Sequence, residues 1–326
     1  MAEWLYEAGI GENRAILVEG GEILEAAIEL PGSVRTGAIL EARLARIHVP
    51  GRRGLAALAG GGEALVEPLP GGLTEGQPIR VEIVREAIPE AGRPKIAKAR
   101  ISDEAPRPGP SLHERIGCPA PLHGTARDLF EDAGWSELLE QAATGEIAFP
   151  GGALRMSVTP AMTLFDVDGA LPPTELAVAG AAGAARAIRR LGIGGSIGID
   201  LPTVAGKAGR QAPAAALDAL LPQPFERTGV NGFGFLQVVR RRERPSLPEL
   251  VQGDPAGAAA RALLRRAERA QGAGERTIRA APPVVALLER RPEWLDELAR
   301  RIGAPVRLQA DAGLSISGGH VQSAHF

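Results

Sequence analysis

The sequence predicts a multidomain α+β protein: a small antiparallel β-barrel, then a layered α/β unit, then a small α/β unit at the carboxyl end. Three observations predict it. Residues 37–101 hold five short β-type runs separated by glycine and proline, which fits a small barrel. Residues 102–124, SDEAPRPGPSLHERIGCPAPLHG, are proline-rich and without periodicity, which marks a connection between units. Strands and helices then alternate to about Leu250, the pattern of a layered α/β unit. With 326 residues, 44% of them hydrophobic, the chain has room for two or three separate cores.

The elements follow in order. Residues 1–36 are an amino-terminal β segment, in which AILVEGGEILEAAIEL reads as a hairpin turning at Gly20-Gly21. The barrel of 37–101 uses GAILEARLARIHV, RRGLAAL, EALVEPL, IRVEIVREA and KIAKARI; GAILEARLARI is also compatible with a helix by composition. After the 102–124 linker, residues 125–250 carry RDLFEDAGWSELLEQA with helical spacing, the hairpin-like IAFPGGALRMSV and a strand running into Asp166. TELAVAGAAGAARAIRRLG is a helix whose Gly180 and Gly183 suggest close packing on a sheet. Strand SIGID, helix PAAALDALL and strand GFGFLQVV complete the unit. Residues 251–275 form an arginine-rich helix with Arg261, Arg265, Arg266 and Arg269. In 276–326, TIRAAP, VRLQA and LSISG read as strands around PVVALLERRPEWLDELARRIG, one or two helices.

Composition excludes several classes. Cys118 is the only cysteine, so neither an intrachain disulfide nor a cysteine-built zinc cluster exists. The start MAEWLYEAGIGENR lacks a basic opening and an apolar run, so no secretion signal or membrane anchor is expected and the cytoplasm is the expected compartment. A net charge of −2 argues against strong unspecific polyanion binding. Apart from Lys95, Lys98 and Lys207 the positive charge is arginine, whose planar fork suits bidentate phosphate contacts. A GC-rich coding sequence would produce the same bias.

The chemistry-bearing pattern is acidic. TLFDVDGA and SIGID are apolar runs ending on Asp166 and Asp168, and on Asp200. Carboxylates gathered at neighbouring strand ends repel unless a cation or donors offset them. Hard cations such as Mg2+ take this kind of oxygen site, usually one or two carboxylates with water and substrate phosphate. The ordinary alternative is that these aspartates start turns or cap the helices after Pro172 and Pro202. GGSIG fails as a nucleophile elbow because Ser196 precedes its apolar run. The basic candidates for binding a nucleic-acid backbone are Arg52 and Arg53, then Arg93, Lys95 and Lys98, then Arg240, Arg241 and Arg242, each equally readable as a solvated face. The barrel segment holds no Phe, Tyr or Trp, so any RNA contact there would rest on backbone charge.

In this order, GENRAILVEGGEILEAAIE, GEIAFPGGALRMSVTPAMTLFDVDGA, AARAIRRLGIGGSIGID and NGFGFLQVVRRRERPSL resemble the ribonuclease E/G family of Mg2+-dependent bacterial endoribonucleases; the best match covers roughly residues 144–247. The resemblance implies that 37–101 is a shortened OB-type RNA-binding barrel and 125–250 a deoxyribonuclease-I-like nuclease domain. It also implies that Asp166 is a metal ligand, with Asp168 where the family has asparagine. Asp200 matches the first of two acidic residues, and Thr203 stands where the family's second metal ligand falls. The family's Cys-x-x-Cys zinc link, its 5′-end-sensing segment and its barrel phenylalanines are missing.

The function expected is hydrolysis of phosphodiester bonds in single-stranded RNA, in RNA processing or turnover. Asp166 and Asp200 are the catalytic candidates and, with Asp168, the ligands of Mg2+ or Mn2+, with no zinc. No membrane partner is expected, and loss of the zinc link favours a monomer. The competing expectation is a family descendant without chemistry that binds RNA or protein; a metal phosphoesterase for small substrates follows from the carboxylates alone.

Overall fold

Three strands, β1 (Glu3–Ala8), β2 (Asn13–Glu19) and β3 (Glu22–Glu29), form an antiparallel meander in a computed structural model that describes residues 1–90, 94–122, 127–272 and 274–323. The second turn is Gly20-Gly21, with φ of 62° and 85°, the left-handed backbone that suits a two-residue hairpin.

The next five strands are β4 (Ile39–Val49), β5 (Arg53–Leu58), β6 (Glu63–Val66), β7 (Pro78–Arg85) and β8 (Ala97–Ile101). They close into a barrel in the order β4-β5-β6-β8-β7. β6 and β8 run parallel while the other pairs are antiparallel. A closed five-strand barrel is compatible with an OB-type arrangement. GAILEARLARI is strand because its period of two is what gets buried: Ala42 and Leu44 face the barrel core, Glu41 and Arg43 face water.

The proline-rich connection carries one capped turn, α1 (Leu112–Arg115), with Ser111 and Glu114 as its capping box. RDLFEDAGWSELLEQA then forms two helices, α2 (Leu129–Asp132) and α3 (Trp135–Thr144), because Gly134 takes φ of 91° and interrupts the spiral.

A six-stranded sheet follows. Its strands are β9 (Glu146–Phe149), β10 (Gly152–Val158), β11 (Thr163–Gly169), β12 (Gly195–Asp200), β13 (Glu226–Arg227) and β14 (Phe235–Arg240), in the order β13-β14-β12-β11-β10-β9. β11 and β12 are the parallel pair, joined by the crossover helix α4 (Pro173–Arg190). Helix α5 (Gly206–Leu220) connects β12 to β13 and packs along α4. At Gly180 an added Cβ would collide with Val167; with Ala177, Ala181 and Ala184 buried beside it, α4 lies close on the sheet. The same core takes in Ile16, Ile23 and Ala26 of the amino-terminal meander together with Phe165, Ile199 and Leu236. One face of the sheet is therefore covered, and the other is open.

The remainder is α6 (Leu247–Gly253), α7 (Pro255–Arg269), β15 (Arg276–Ala280), α8 (Pro282–Glu289), α9 (Pro292–Ile302), β16 (Val306–Ala310) and β17 (His320–Ser323), with sheet order β16-β15-β17. LSISG is not the strand expected. Asp311 accepts from Gly313 N–H at 2.8 Å, Leu314 N–H bonds back to Asp311 O, and Gly318 N–H bonds to Ser315 O. These residues make the turns that reverse the chain, and β17 pairs with β15 instead.

Three of the four arginines of α7, Arg261, Arg265 and Arg269, point inward, while Arg266 is exposed. Arg261 Nε donates to Glu12 at 2.9 Å, and Arg265 meets Glu131 at 2.9 Å, Glu7 at 3.6 Å and also Asp128. Arg269 reaches Glu7 at 2.9 Å. Arg14 of β2 joins Glu12 at 3.3 Å and Glu7 at 3.7 Å; its burial lowers the guanidinium pKa, against the opposing pull of Glu12 and Glu7. Glu7, Glu12, Arg14, Arg261 and Arg265 are all buried. This network ties the first strands of the chain to α7. Among the described residues no helix is long and apolar enough to cross a membrane.

Candidate active site on the open sheet face

Strand alternation decides where the aspartates point. In β11, Thr163, Phe165 and Val167 are buried while Asp166 and Asp168 are exposed; in β12, Ile197 and Ile199 are buried and Asp200 is exposed. The register then places Asp166 directly beside Asp200, on strands about 4.8 Å apart. Continuing outward, Asp166 is paired with Arg155, Arg155 with Glu146, and Asp200 with Phe235. Glu146, Arg155, Asp166, Asp200 and Phe235 thus form one row across five strands, at the carboxyl ends of the parallel pair. Ligands of open α/β sheets favour this end of the strands.

The row is chemically mixed. Arg155 lies 3.4 Å from Glu146 and 3.9 Å from Asp168, so it offsets acidic charge on one flank of Asp166. Asp168 stands one row further on, opposite Ala153. Neither neighbouring helix uses these aspartates as caps: α4 starts after Pro172 and α5 after Ala205, each without a side-chain cap bond. Thr203 is exposed, and its hydroxyl donates to Phe233 O at 3.3 Å.

The donor set can be tested against a divalent ion. Asp166 and Asp200 supply adjacent, accessible carboxylate oxygens, which fits Mg2+ held by one or two carboxylates plus water and substrate phosphate. Among the described residues no group of three or more His, Cys, Asp or Glu is gathered so as to hold a metal by itself. The fit is to a two-carboxylate, substrate-completed site, not to an all-protein cage. Two clefts of about 580 and about 460 Å3 lie elsewhere, one lined by α3, β9 and α4 and the other between the barrel and Arg244-Pro245. The carboxylates line neither. They sit on an open surface, which suits an extended polymer better than an enclosed small molecule.

The basic residues are distributed differently from their place in the sequence. β14 begins beside Asp200 and ends with Arg240 beside Gly195, so Arg240 lies about 17 Å along the strand from the carboxylate row. Arg240 donates to Ile193 O at 3.2 Å, and burial lowers its pKa. Arg241 pairs with Glu243 at 2.9 Å and stays exposed. Arg242 binds Glu90 at 2.8 Å and also Glu249, and Lys95 binds the same Glu90. Burial raises the Glu90 pKa, but hydrogen bonds from Lys95 and Arg242 outweigh it and leave the carboxyl below its ordinary range. In the barrel, Arg53 and Lys98 both hold Glu67 at 2.9 Å. Arg52 is exposed, and Arg93 lies outside the described residues. The barrel meets the sheet at the far end, through Lys95 to Pro160 O and Glu86 N–H to Glu243 O, away from Asp166.

Glu67 gives a pH test of this pairing. Hydrogen bonds from Lys98 and then Arg53 hold its carboxyl down to about 2. A depressed carboxyl stabilises the fold above its unfolded pKa, and that contribution is lost as the pH falls from about 4.5 towards 2. Lys98→Ala is expected to move the Glu67 titration up towards the ordinary carboxylate value, as read by carboxyl NMR.

Arg155, Glu146 and Phe235 belong to this face, Phe233 is exposed in the turn before β14, and all four are absent from the residues singled out by sequence. The signal available was NGFGF, two phenylalanines at period two in a chain with 3% aromatics; Arg155 and Glu146 needed the register. Compared with protein-family models and with curated proteins, the chain matches none.

Proposed function

We propose that the chain is a shortened, divergent relative of the ribonuclease E/G family that cleaves phosphodiester bonds of single-stranded RNA with Mg2+, on a deoxyribonuclease-I-like unit. The observation that carries this reading is the in-register pair Asp166 and Asp200, exposed on one face at the carboxyl ends of adjacent parallel strands. These two carboxylates would hold the ion, and Asp168 lies one row away to accept from its waters. When bound, the metal polarises a phosphate oxygen and lowers the pKa of the attacking water. Arg155 holds a guanidinium beside Asp166, where its fork can bind a phosphate oxygen once substrate displaces Asp168 or Glu146. Arg52 and Arg241, exposed at the distant barrel and strand ends, would position the backbone without reading sequence.

A second reading, an RNA-binding or protein-interaction module without chemistry, is favoured by Thr203, whose hydroxyl is engaged with the backbone of Phe233 and supplies no carboxylate. Incubating the purified chain with single-stranded RNA separates the two. Cleavage with Mg2+ or Mn2+ that stops with chelator and returns on adding the metal supports the nuclease. RNA that is bound but left intact in every metal supports the module.

A further inference from the structure

Phe235 lies beside the carboxylates on the open sheet face, and Phe233 is exposed in the turn that leads into its strand. Phe235 is the cross-strand neighbour of Asp200. Its ring extends over Gly198 of β12: an added Cβ at Gly198 would come within 2.5 Å of the ring and 2.7 Å of Leu164. A glycine is needed at that place because the phenyl lies across the strand, and Phe235 remains half-exposed there. Phe233 stands two residues earlier and is 85% exposed, the most exposed large apolar side chain after Met1 among the described residues.

The turn that presents Phe233 is held from several sides. Asn231 Oδ1 accepts the N–H groups of Phe233 and Phe235 at 2.9 and 3.0 Å. Gly234, at φ of 92°, packs on Leu201 O where a Cβ would collide. Leu201 N–H bonds to Gly234 O at 3.2 Å and Thr203 to Phe233 O at 3.3 Å. This fastens the turn to the segment that directly follows Asp200. A phenyl held in water on a braced turn keeps its face free for a flat apolar partner.

We infer that Phe233 and Phe235 are a base-stacking platform, on which nucleobases of a single strand lie while an adjoining phosphate reaches Asp166 and Asp200. This rests on the proposed action on RNA and assigns the residues that grip the strand. Aromatic faces on an open sheet take unpaired bases irrespective of sequence, and a duplex, with its bases stacked inside, cannot use them. The barrel segment, free of aromatic residues, leaves this task to the sheet.

The test is binding of a short fluorescein-labelled oligouridylate, read by anisotropy in Mg2+ and in chelator, with cleavage followed in parallel. Phe233→Ala is expected to weaken binding roughly 5- to 150-fold, and Phe233→Trp to retain it with quenching of the new indole. Because Phe233 is exposed, neither change should alter the unfolding midpoint. Phe233→Ala binding as tightly as the parent overturns the platform even if the parent cleaves RNA. Phe-dependent binding without cleavage upholds the platform and sinks the nuclease. No binding by the parent chain overturns the platform. So does a Phe233→Ala variant whose only change, in sedimentation velocity, is loss of a dimer, because the ring would then be a self-association contact.

Discussion

Replacing Arg265 with alanine is expected to lower the stability of the fold by about 3–5 kcal/mol, the cost of breaking a buried ion pair from one side. Arg265 is 3% exposed and serves Glu7, Asp128 and Glu131 together. Its loss removes one of the cations around buried Glu7, which keeps Arg14 and Arg269, and thinning the compensation of a buried charge is what makes truncation expensive. Since a typical domain is stable by only about 5–15 kcal/mol, this one side chain decides much of the margin. Urea unfolding checks it through a large fall in the midpoint. Arg265→Lys keeps the charge but loses the planar fork that spans three carboxylates, so it should lie between parent and alanine. An alanine variant with an unchanged midpoint would mean that the network contributes nothing net to folding.

Asp166→Asn is expected to lower metal-dependent RNA cleavage by at least about 100-fold, with little change in stability. The metal's share of transition-state stabilisation is several kcal/mol, and each 1.36 kcal/mol is about tenfold in rate. Asparagine preserves the shape and removes the charge that would hold the ion. The side chain is exposed, so the fold does not depend on it. Asp200→Asn should act in the same direction, while Asp168→Asn, one row away and beside Arg155, should act less. The informative measurement is initial cleavage rate against Mg2+ concentration for all three variants. Equal rates for Asp166→Asn and the parent would remove the chemical centre of the proposal.

Much of the fold is legible in local pattern. TLFDVDGA and GFGFLQVV alternate apolar core positions with more exposed ones at a period of two, and the observed strands bury those alternate residues; in SIGID the buried Ile197 and Ile199 keep the period although Gly198 between them is covered as well. The barrel runs and the α4 helix likewise follow from spacing and from where glycine and proline interrupt. LSISG misled because its apolar residues also alternate, while the turn chemistry of Asp311 and Gly313 just before it took precedence.

What the sequence alone determined is most of the elements, the strand ends on which Asp166, Asp168 and Asp200 stand, and the presence of clustered positive charge. Which aspartates face each other was decided by the register of two strands that α4 joins in parallel. Which cations stay available was decided by the carboxylates that folding brings beside them: Glu67 takes Arg53 and Lys98, Glu90 takes Lys95 and Arg242, and Glu7 and Glu12 take Arg261, Arg265 and Arg269 of α7. Coulomb and hydrogen-bond energies depend on separation in space, and separation in space between residues tens or hundreds of positions apart exists only once the chain has folded.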